Sequence, residues 1–244
     1  MQYGEFAKVY DALMSDVDYD AWARYVLGML PQGASVLECA CGTGEITRRI
    51  AAAGHDVIAA DSSADMLRVA AEKLRALGAV SRRVRFVNMD MRNIELHKPV
   101  DGIIACCDGV NYLLSKDDAI RFFTSAHKAL KSGGVLLFDV SSRHKLSGML
   151  GQNTFADNGK DVAYMWRNNY DDESKLIAME LSFFVKEGEL YRRFDETHIQ
   201  RAHSVRELSS WLEESGFACE AFEFPTLNAP GAESERIQFA ARKL

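Results

Sequence analysis

The sequence predicts an α/β protein built on a doubly wound, mostly parallel sheet of seven strands, with N-terminal helices and an antiparallel β insert after the fifth strand. Two observations predict this fold class. Between Ala34 and Val140, short apolar or β-branched runs alternate with helical stretches, which is the pattern of βαβ units. A glycine follows each helical stretch, where the chain must turn back to the sheet.

The elements of the predicted domain follow in order. Tyr3 and Tyr10 belong to a first amphipathic helical segment, and Trp22 belongs to a second, with Asp18 as its N-cap. Five strands are predicted at residues 35–39, 57–60, 84–87, 102–106 and 135–140. The intervening helices are predicted at 45–53, 64–77 and 116–130, ending at Gly54, Gly78 and the run Ser132, Gly133, Gly134.

The pattern changes after residue 140. Residues 162–170, 176–185 and 190–200 read as extended segments joined by the turn sequences DDES and KEGE. A helix at 204–215, with a capping box from Ser204 and Glu207, then precedes strands at 218–224 and 236–241. We therefore expect one domain from 1–140 and 204–244, and an insert at 141–203 that serves as a substrate lid.

Composition narrows the class of protein. The chain has 244 residues, 48% of them hydrophobic, and a formal net charge of -6, which disfavours a nucleic-acid partner. No signal peptide and no apolar run near the roughly 18 residues of a membrane span are found, so we expect a cytoplasmic protein.

The chain has five cysteines, two of them adjacent, which is typical of reduced thiols and not of a disulfide framework. Strand alternation points neighbouring cysteines to opposite faces, which argues against zinc.

The glycine loop "ECACGTGE", residues 38–45, follows the first predicted strand. Gly42 and Gly44 permit positive φ and a close approach of a ligand to bare backbone. A dinucleotide fingerprint fails here, because Thr47 occupies the third glycine position. Carboxylates also stand at the ends of the first four strands, at Glu38, Asp61, Asp90 and Asp108. Such acids favour a cationic ligand over a pyrophosphate.

With these motifs in order, the sequence resembles the class I S-adenosylmethionine-dependent methyltransferases, and among them small bacterial enzymes that open with FAxxYDxLM, here residues 6–14. The resemblance extends from that segment to the closing ERIQFAARK and implies a Rossmann-like fold with S-adenosylmethionine as cofactor. The family usually starts the loop with glycine, whereas this chain has Ala40.

Carried over residue by residue, the resemblance implies that Asp61 binds the ribose hydroxyls and that Asp90 and Met91 face the adenine. Cys107 and its neighbours would line the methyl-bearing end, with Tyr10 arriving from the N-terminal segment. The cofactor-binding residues that it implies are Tyr10, Glu38, Ala40, Cys41, Gly42, Gly44, Asp61, Ser62, Met66, Asp90, Met91, Cys106, Cys107 and Asp108. Taken alone, the glycines could form a tight turn, and Asp61 could cap the next helix.

Methyl transfer from a sulfonium is an in-line displacement that needs no metal, and a general base is needed only if the acceptor loses a proton. The candidates are His198, Tyr112, His144 and Glu196. Alternation in the insert places Glu196 and His198 on one strand face, which is interpreted as solvated, with a substrate wall as the alternative. A small-molecule acceptor is favoured over RNA or protein; a nucleotide-binding oxidoreductase is the remote alternative. The sequence leaves monomer and homodimer open.

Overall fold

A computed structural model describes residues 5–244 and contains two sheets. The eleven strands are β1 Ser35–Cys39, β2 Asp56–Asp61, β3 Val84–Asn88, β4 Val100–Ala105, β5 Leu130–Ser141, β6 Thr154–Asn158, β7 Val162–Asp171, β8 Leu176–Glu187, β9 Leu190–Arg201, β10 Phe217–Glu223 and β11 Arg236–Lys243. The larger sheet has seven strands in the order β3-β2-β1-β4-β5-β11-β10, with β1 to β5 parallel and β11 antiparallel to both of its neighbours. The predicted doubly wound sheet is therefore confirmed.

The helices begin where the sequence places capping residues. Asp18 accepts a hydrogen bond from Ala21 N at 2.8 Å, and Ser204 and Glu207 form the reciprocal capping box. Tyr3, assigned by the sequence to the first helix, lies outside the described residues. The six α-helices are α1 Phe6–Leu13, α2 Tyr19–Met29, α3 Glu45–Ala52, α4 Ala64–Arg75, α5 Lys116–Ala129 and α6 Val205–Glu214.

Apolar side chains cover both faces of the large sheet. On one face Phe138 and Phe239 stack with ring centroids 4.8 Å apart, beneath α5 and α6. On the other, Trp22 and Ile50 pack from α2 and α3. Burial on both faces explains why these strands read as continuous apolar runs rather than as alternating ones. Across residues 5–244, no helix combines the length and apolarity needed to cross a membrane.

The start of β5 differs from the prediction. The helix α5 ends at Ala129 and the strand begins at once, so Gly133 and Gly134 lie in a bulged strand rather than in a loop. A Cβ on Gly134 would lie 2.9 Å from Lys131 O and 3.1 Å from Asp101 O, so only glycine allows this backbone approach.

The insert is an antiparallel sheet in the order β6-β7-β8-β9, one strand more than predicted. All five residues of β6 are exposed, so this edge strand carries no apolar alternation for a sequence pattern to reveal. A π-helical turn, His144–Leu150, was likewise not predicted. Helix α1 joins the insert to the large sheet, because Phe6 packs on Phe183 at a centroid distance of 5.4 Å and lies in one apolar cluster with Met66 of α4.

Candidate functional site

A cavity of about 740 Å³ opens at the carboxyl ends of the parallel strands, between the large sheet, α1 and the insert. This is the edge at which open α/β sheets bind ligands. The sequence-predicted residues that line it are Tyr10, Ala40, Gly42, Asp61, Ser62, Met66, Asp90, Met91, Cys107 and Asp108, together with Tyr112 and His198 of the proposed bases. The structure thus gathers residues from the ends of the four strands β1 to β4, from α1 and α4, and from the insert around one space.

The remaining predicted residues lie outside the lining. Cys41 and Cys106 are buried in the core beneath the loop, and Gly44 is the N-cap of α3. His144 is exposed on the π-helical turn, and Glu196 also lies outside the lining. Over the described part of the chain, no group of three or more His, Cys, Asp or Glu side chains is arranged to hold a metal ion.

Glu38 supports the glycine loop from behind rather than facing the cavity. Its side chain is 2% exposed and accepts a hydrogen bond from Thr47 Oγ1. Burial raises the pKa of Glu38 to about 8, so the carboxyl is largely protonated at neutral pH. Thr47, the residue that breaks the dinucleotide fingerprint, is therefore the hydrogen-bond partner of this buried acid.

The loop itself is held in left-handed backbone conformations. Ala40 has φ 52° and Gly42 has φ 53°, and a Cβ on Gly42 would meet no atom within 4 Å. Ala40 thus adopts a left-handed conformation that favours glycine. Cys107 and Asp108, at the end of β4, also have positive φ, at 60° and 55°. Such residues cost about 1–3 kcal/mol each and concentrate at functional sites.

Asp11 links helix α1 to this loop by a hydrogen bond and to α4 by an ion pair. Asp11 accepts from Thr43 Oγ1 in the loop and from Lys73 Nζ of α4 at 2.6 Å. These contacts place Tyr10, the preceding residue of α1, at the cavity wall.

Asp61 is positioned entirely by backbone donors. Its Oδ2 accepts from Gly42 N at 2.9 Å and its Oδ1 from Ser63 N at 2.8 Å. Among residues 5–244 no cation pairs with it, and burial raises its pKa. An ionised carboxylate offers about four acceptor positions, so each oxygen retains capacity for a ligand hydroxyl.

Asp90 differs from Asp61 because a guanidinium covers it. Both of its oxygens accept from Arg92, the shorter bond being 2.6 Å to Nη2, and Arg92 Nη1 also donates to Asp118 at 2.9 Å. Hydrogen bonding to Arg92 lowers the pKa of Asp90. The thioethers of Met66, Met89 and Met91 supply apolar surface along this wall.

Asp108 also has a cationic partner, which the sequence did not reveal. Arg236 Nη1 donates to Asp108 Oδ1 at 2.7 Å and to the buried Asp139, while Gln200 Nε2 donates to Asp108 Oδ2 at 3.0 Å. Burial raises the pKa of Asp139 to about 6, against the opposing effect of Arg236. The arginine that opens the closing strand β11 was the one signal that could have drawn attention to this cluster.

The expected row of four free acids at the sheet edge is therefore corrected. Glu38 is buried away from the cavity, and Asp90 and Asp108 are paired with arginines. Of these four acids, only Asp61 presents a carboxylate without a cationic partner to the cavity. This end of the cavity is characterised by the backbone conformation of the glycine loop and by the carboxylate of Asp61, and not by a cluster of unpaired negative charges.

A tyrosine and a histidine meet at the opposite wall. Tyr112 Oη lies 3.1 Å from His198 Nδ1, and both residues line the cavity. His198 is 4% exposed, and burial lowers its pKa. The interpretation of its strand face as solvated is wrong at this position, because β9 directs His198 and Gln200 into the cavity.

Known proteins share the sequence and the fold of this chain. The family described as "Methyltransferase domain" matches residues 36–134. The protein named as methyltransferase YqeM of Bacillus subtilis (strain 168) is 40% identical over 245 residues, covering 100% of this chain and 98% of that protein. The crystal structure of an S-adenosylmethionine-dependent methyltransferase from Clostridium acetobutylicum ATCC 824 superposes with a TM-score of 0.89 at 32% identity, covering 99% of this chain and 98% of its own. The sugar N-methyltransferase KedS8 from Streptoalloteichus sp. ATCC 53650 shares the fold, with a TM-score of 0.78 at 20% identity over 96% of this chain and 92% of its own.

Proposed function

Because this chain belongs to the S-adenosylmethionine-dependent methyltransferases, we propose that it transfers the methyl group to a small-molecule acceptor held between the large sheet and the insert. The observation that carries the proposal is the single cavity lined by Asp61 and the glycine loop on one side and by the Tyr112 and His198 pair on the other. Its volume of about 740 Å³ falls within the range of small-molecule sites. The fold is shared with KedS8, which is named as a sugar N-methyltransferase, so this architecture is compatible with a sugar-sized acceptor.

The residues at the sheet edge fit the donor. The open space beyond Gly42 leaves bare backbone facing the cavity, and the Asp61 oxygens retain acceptor capacity suited to two ribose hydroxyls. Met66, Met89 and Met91 offer an apolar surface suited to an adenine ring. Asp90 is committed to Arg92, so an adenine amine would share that carboxylate with the guanidinium. When bound, S-adenosylmethionine supplies a methyl group on a positively charged sulfur, which a nucleophile displaces in line.

The opposite wall of the cavity, which contains Tyr112 and His198, would accept a proton from the methyl acceptor. We assign Tyr112 and His198 as the pair that accepts it, since their polar atoms are 3.1 Å apart and both line the cavity. The lowered pKa of His198 keeps the imidazole neutral near pH 7, the form that can take up a proton. The insert and α1 exclude water by packing Phe6 against Phe183 over the site.

Two measurements test the proposed function. Calorimetry should show saturable binding of S-adenosylhomocysteine and none of NAD; saturable NAD binding alone would support the oxidoreductase instead. Incubation with tritium-labelled S-adenosylmethionine and a cell extract should then label the low-molecular-weight fraction. Label recovered in RNA or protein would contradict a small-molecule acceptor, and the His198→Ala variant is the control for enzyme-dependent label.

A further inference from the structure

Lys145 is a half-buried cation on the wall of the cavity. It belongs to the π-helical turn His144–Leu150, which follows β5, and its backbone N donates to Ser142 Oγ at 3.1 Å. The cavity lining places it with Gln200, His198 and Arg236, at the end where we locate the acceptor. Asp61 and the glycine loop lie on the other side, after β1 and β2.

The ammonium of Lys145 differs from the other cations of the lining. Arg92 is paired with Asp90 and Asp118, and Arg236 with Asp108 and Asp139. Among residues 5–244, no carboxylate oxygen lies within 4.0 Å of Lys145 Nζ. The cavity therefore contains one cation whose charge no neighbouring side chain compensates directly.

This arrangement is unfavourable without a ligand. Burial lowers the pKa of Lys145, and repulsion from Arg236 lowers it further, with Asp108, Glu235 and Asp139 opposing the effect from a distance. Asp108 cannot move to Lys145 freely, because Arg236 and Gln200 hold its two oxygens. An anion in the cavity would stabilise the charged ammonium. The attraction between the two charges would be stronger in this partly dehydrated site than at an open surface.

We propose that Lys145 binds an anionic group, a carboxylate or a phosphate, carried by the methyl acceptor, so that the substrate class is an anionic small molecule. This inference rests on the proposed function and adds the charge of the acceptor to it. The anionic group would lie beside Lys145 while the nucleophile lies between the Tyr112 and His198 pair and the donor. Lys145 is then a specificity-determining residue.

The test uses the full chain saturated with S-adenosylhomocysteine. It is titrated with inorganic phosphate or with acetate at constant ionic strength, and chloride is the control anion. Wild type, Lys145→Met and Lys145→Arg are compared with Lys186→Met, which removes an exposed lysine of the insert. We expect saturable binding of phosphate or acetate to wild type and to Lys186→Met. Lys145→Met should weaken it about tenfold or more, and Lys145→Arg should retain it, because a charge-assisted bond is lost only in the former.

The outcomes separate the two proposals. Equal S-adenosylhomocysteine affinity in all four proteins, with anion binding lost only in Lys145→Met, supports the inference, and the preferred anion distinguishes phosphate from carboxylate. Anion binding that is absent from wild type, or unchanged in Lys145→Met, overturns it and leaves the proposed function standing. Weaker S-adenosylhomocysteine binding in Lys145→Met also overturns it, because Lys145 would then serve the donor. Failure of every protein to bind S-adenosylhomocysteine contradicts the proposed function itself.

Discussion

Replacing Arg236 by glutamine tests the charge cluster behind the cavity. Arg236 is the cation shared by Asp108 and Asp139, and Asp139 is fully buried. Even with Arg236 present, the pKa of Asp139 rises from 3.8 to about 6, which corresponds to about 3 kcal/mol. Removing one partner of a buried ion pair costs about 3–5 kcal/mol, because the other charge stays buried without compensation. We therefore expect Arg236→Gln to lose about 3–5 kcal/mol of unfolding free energy at pH 7.5.

The loss should depend on pH in a defined direction. Without the guanidinium, the pKa values of both carboxyl groups rise, so the variant takes up protons that wild type does not. The difference between the two proteins is therefore full only above the raised pKa values of the variant, and it shrinks as the pH falls from there toward the wild-type pKa of Asp139 and below. Adding Asp139→Asn should recover part of the loss, since it removes one of the two uncompensated charges.

Urea unfolding at pH 5 and pH 7.5 measures these differences, and melting temperature should fall by roughly 6–20 °C at the higher pH. A loss below about 1 kcal/mol, or an equal loss at both pH values, would refute the assignment of Arg236 as the compensating charge. Arg167→Gln is the matched control, because it removes an exposed ion pair with Glu180 and should change stability by at most about 1 kcal/mol.

Three further predictions concern Asp61, the Tyr112 and His198 pair, and Gly44. Asp61→Ala should weaken S-adenosylhomocysteine binding in calorimetry by about 1–3 kcal/mol, because two buried acceptors are lost. His198→Ala and Tyr112→Phe should each lower kcat, by about 10² or more for the histidine, with donor affinity unchanged. In wild type the rate should fall on the acid side, below the ordinary pKa of histidine, because burial lowers the pKa of His198 and the neutral ring is the active form. Gly44→Ala should destabilise the fold by about 1–2 kcal/mol in urea unfolding, since φ is 83° and the added Cβ would lie 3.2 Å from Ala70 Cβ.

Each of these has a control in the same chain. Asp65→Ala, at the start of α4, should leave donor affinity unchanged, and an equal effect of both aspartates would remove Asp61 from the site. His144→Ala should leave kcat unchanged, because that histidine is exposed and outside the cavity. Gly188→Ala adds a Cβ at φ 65° in open space, so a loss at Gly44 no larger than at Gly188 would exclude the contact with Ala70 as a cause.

The strands show which structural features a local sequence pattern can predict and which it cannot. Strand β1 was predicted with the observed bounds, and the capping box of Ser204 and Glu207 formed as expected, since both depend on residues a few positions apart. Strand β6 was missed because an exposed edge strand buries nothing that its sequence could mark. The face of β9 was misjudged at His198, because alternation shows which residues share a face but not which face is covered.

The sequence by itself determined the parallel sheet, the glycine loop after its first strand and the placement of Asp61 at the end of the second, because these follow from apolar periodicity and the backbone freedom of glycine. Only the tertiary structure decided the charge of the site. Arg236 meets Asp108 across 128 residues of sequence, Gln200 reaches the same carboxylate across 92, and Lys145 meets no carboxylate among the described residues. The strength of a charge depends on its distance to other charges and on its burial, and residues so far apart in sequence acquire both only when the chain has folded.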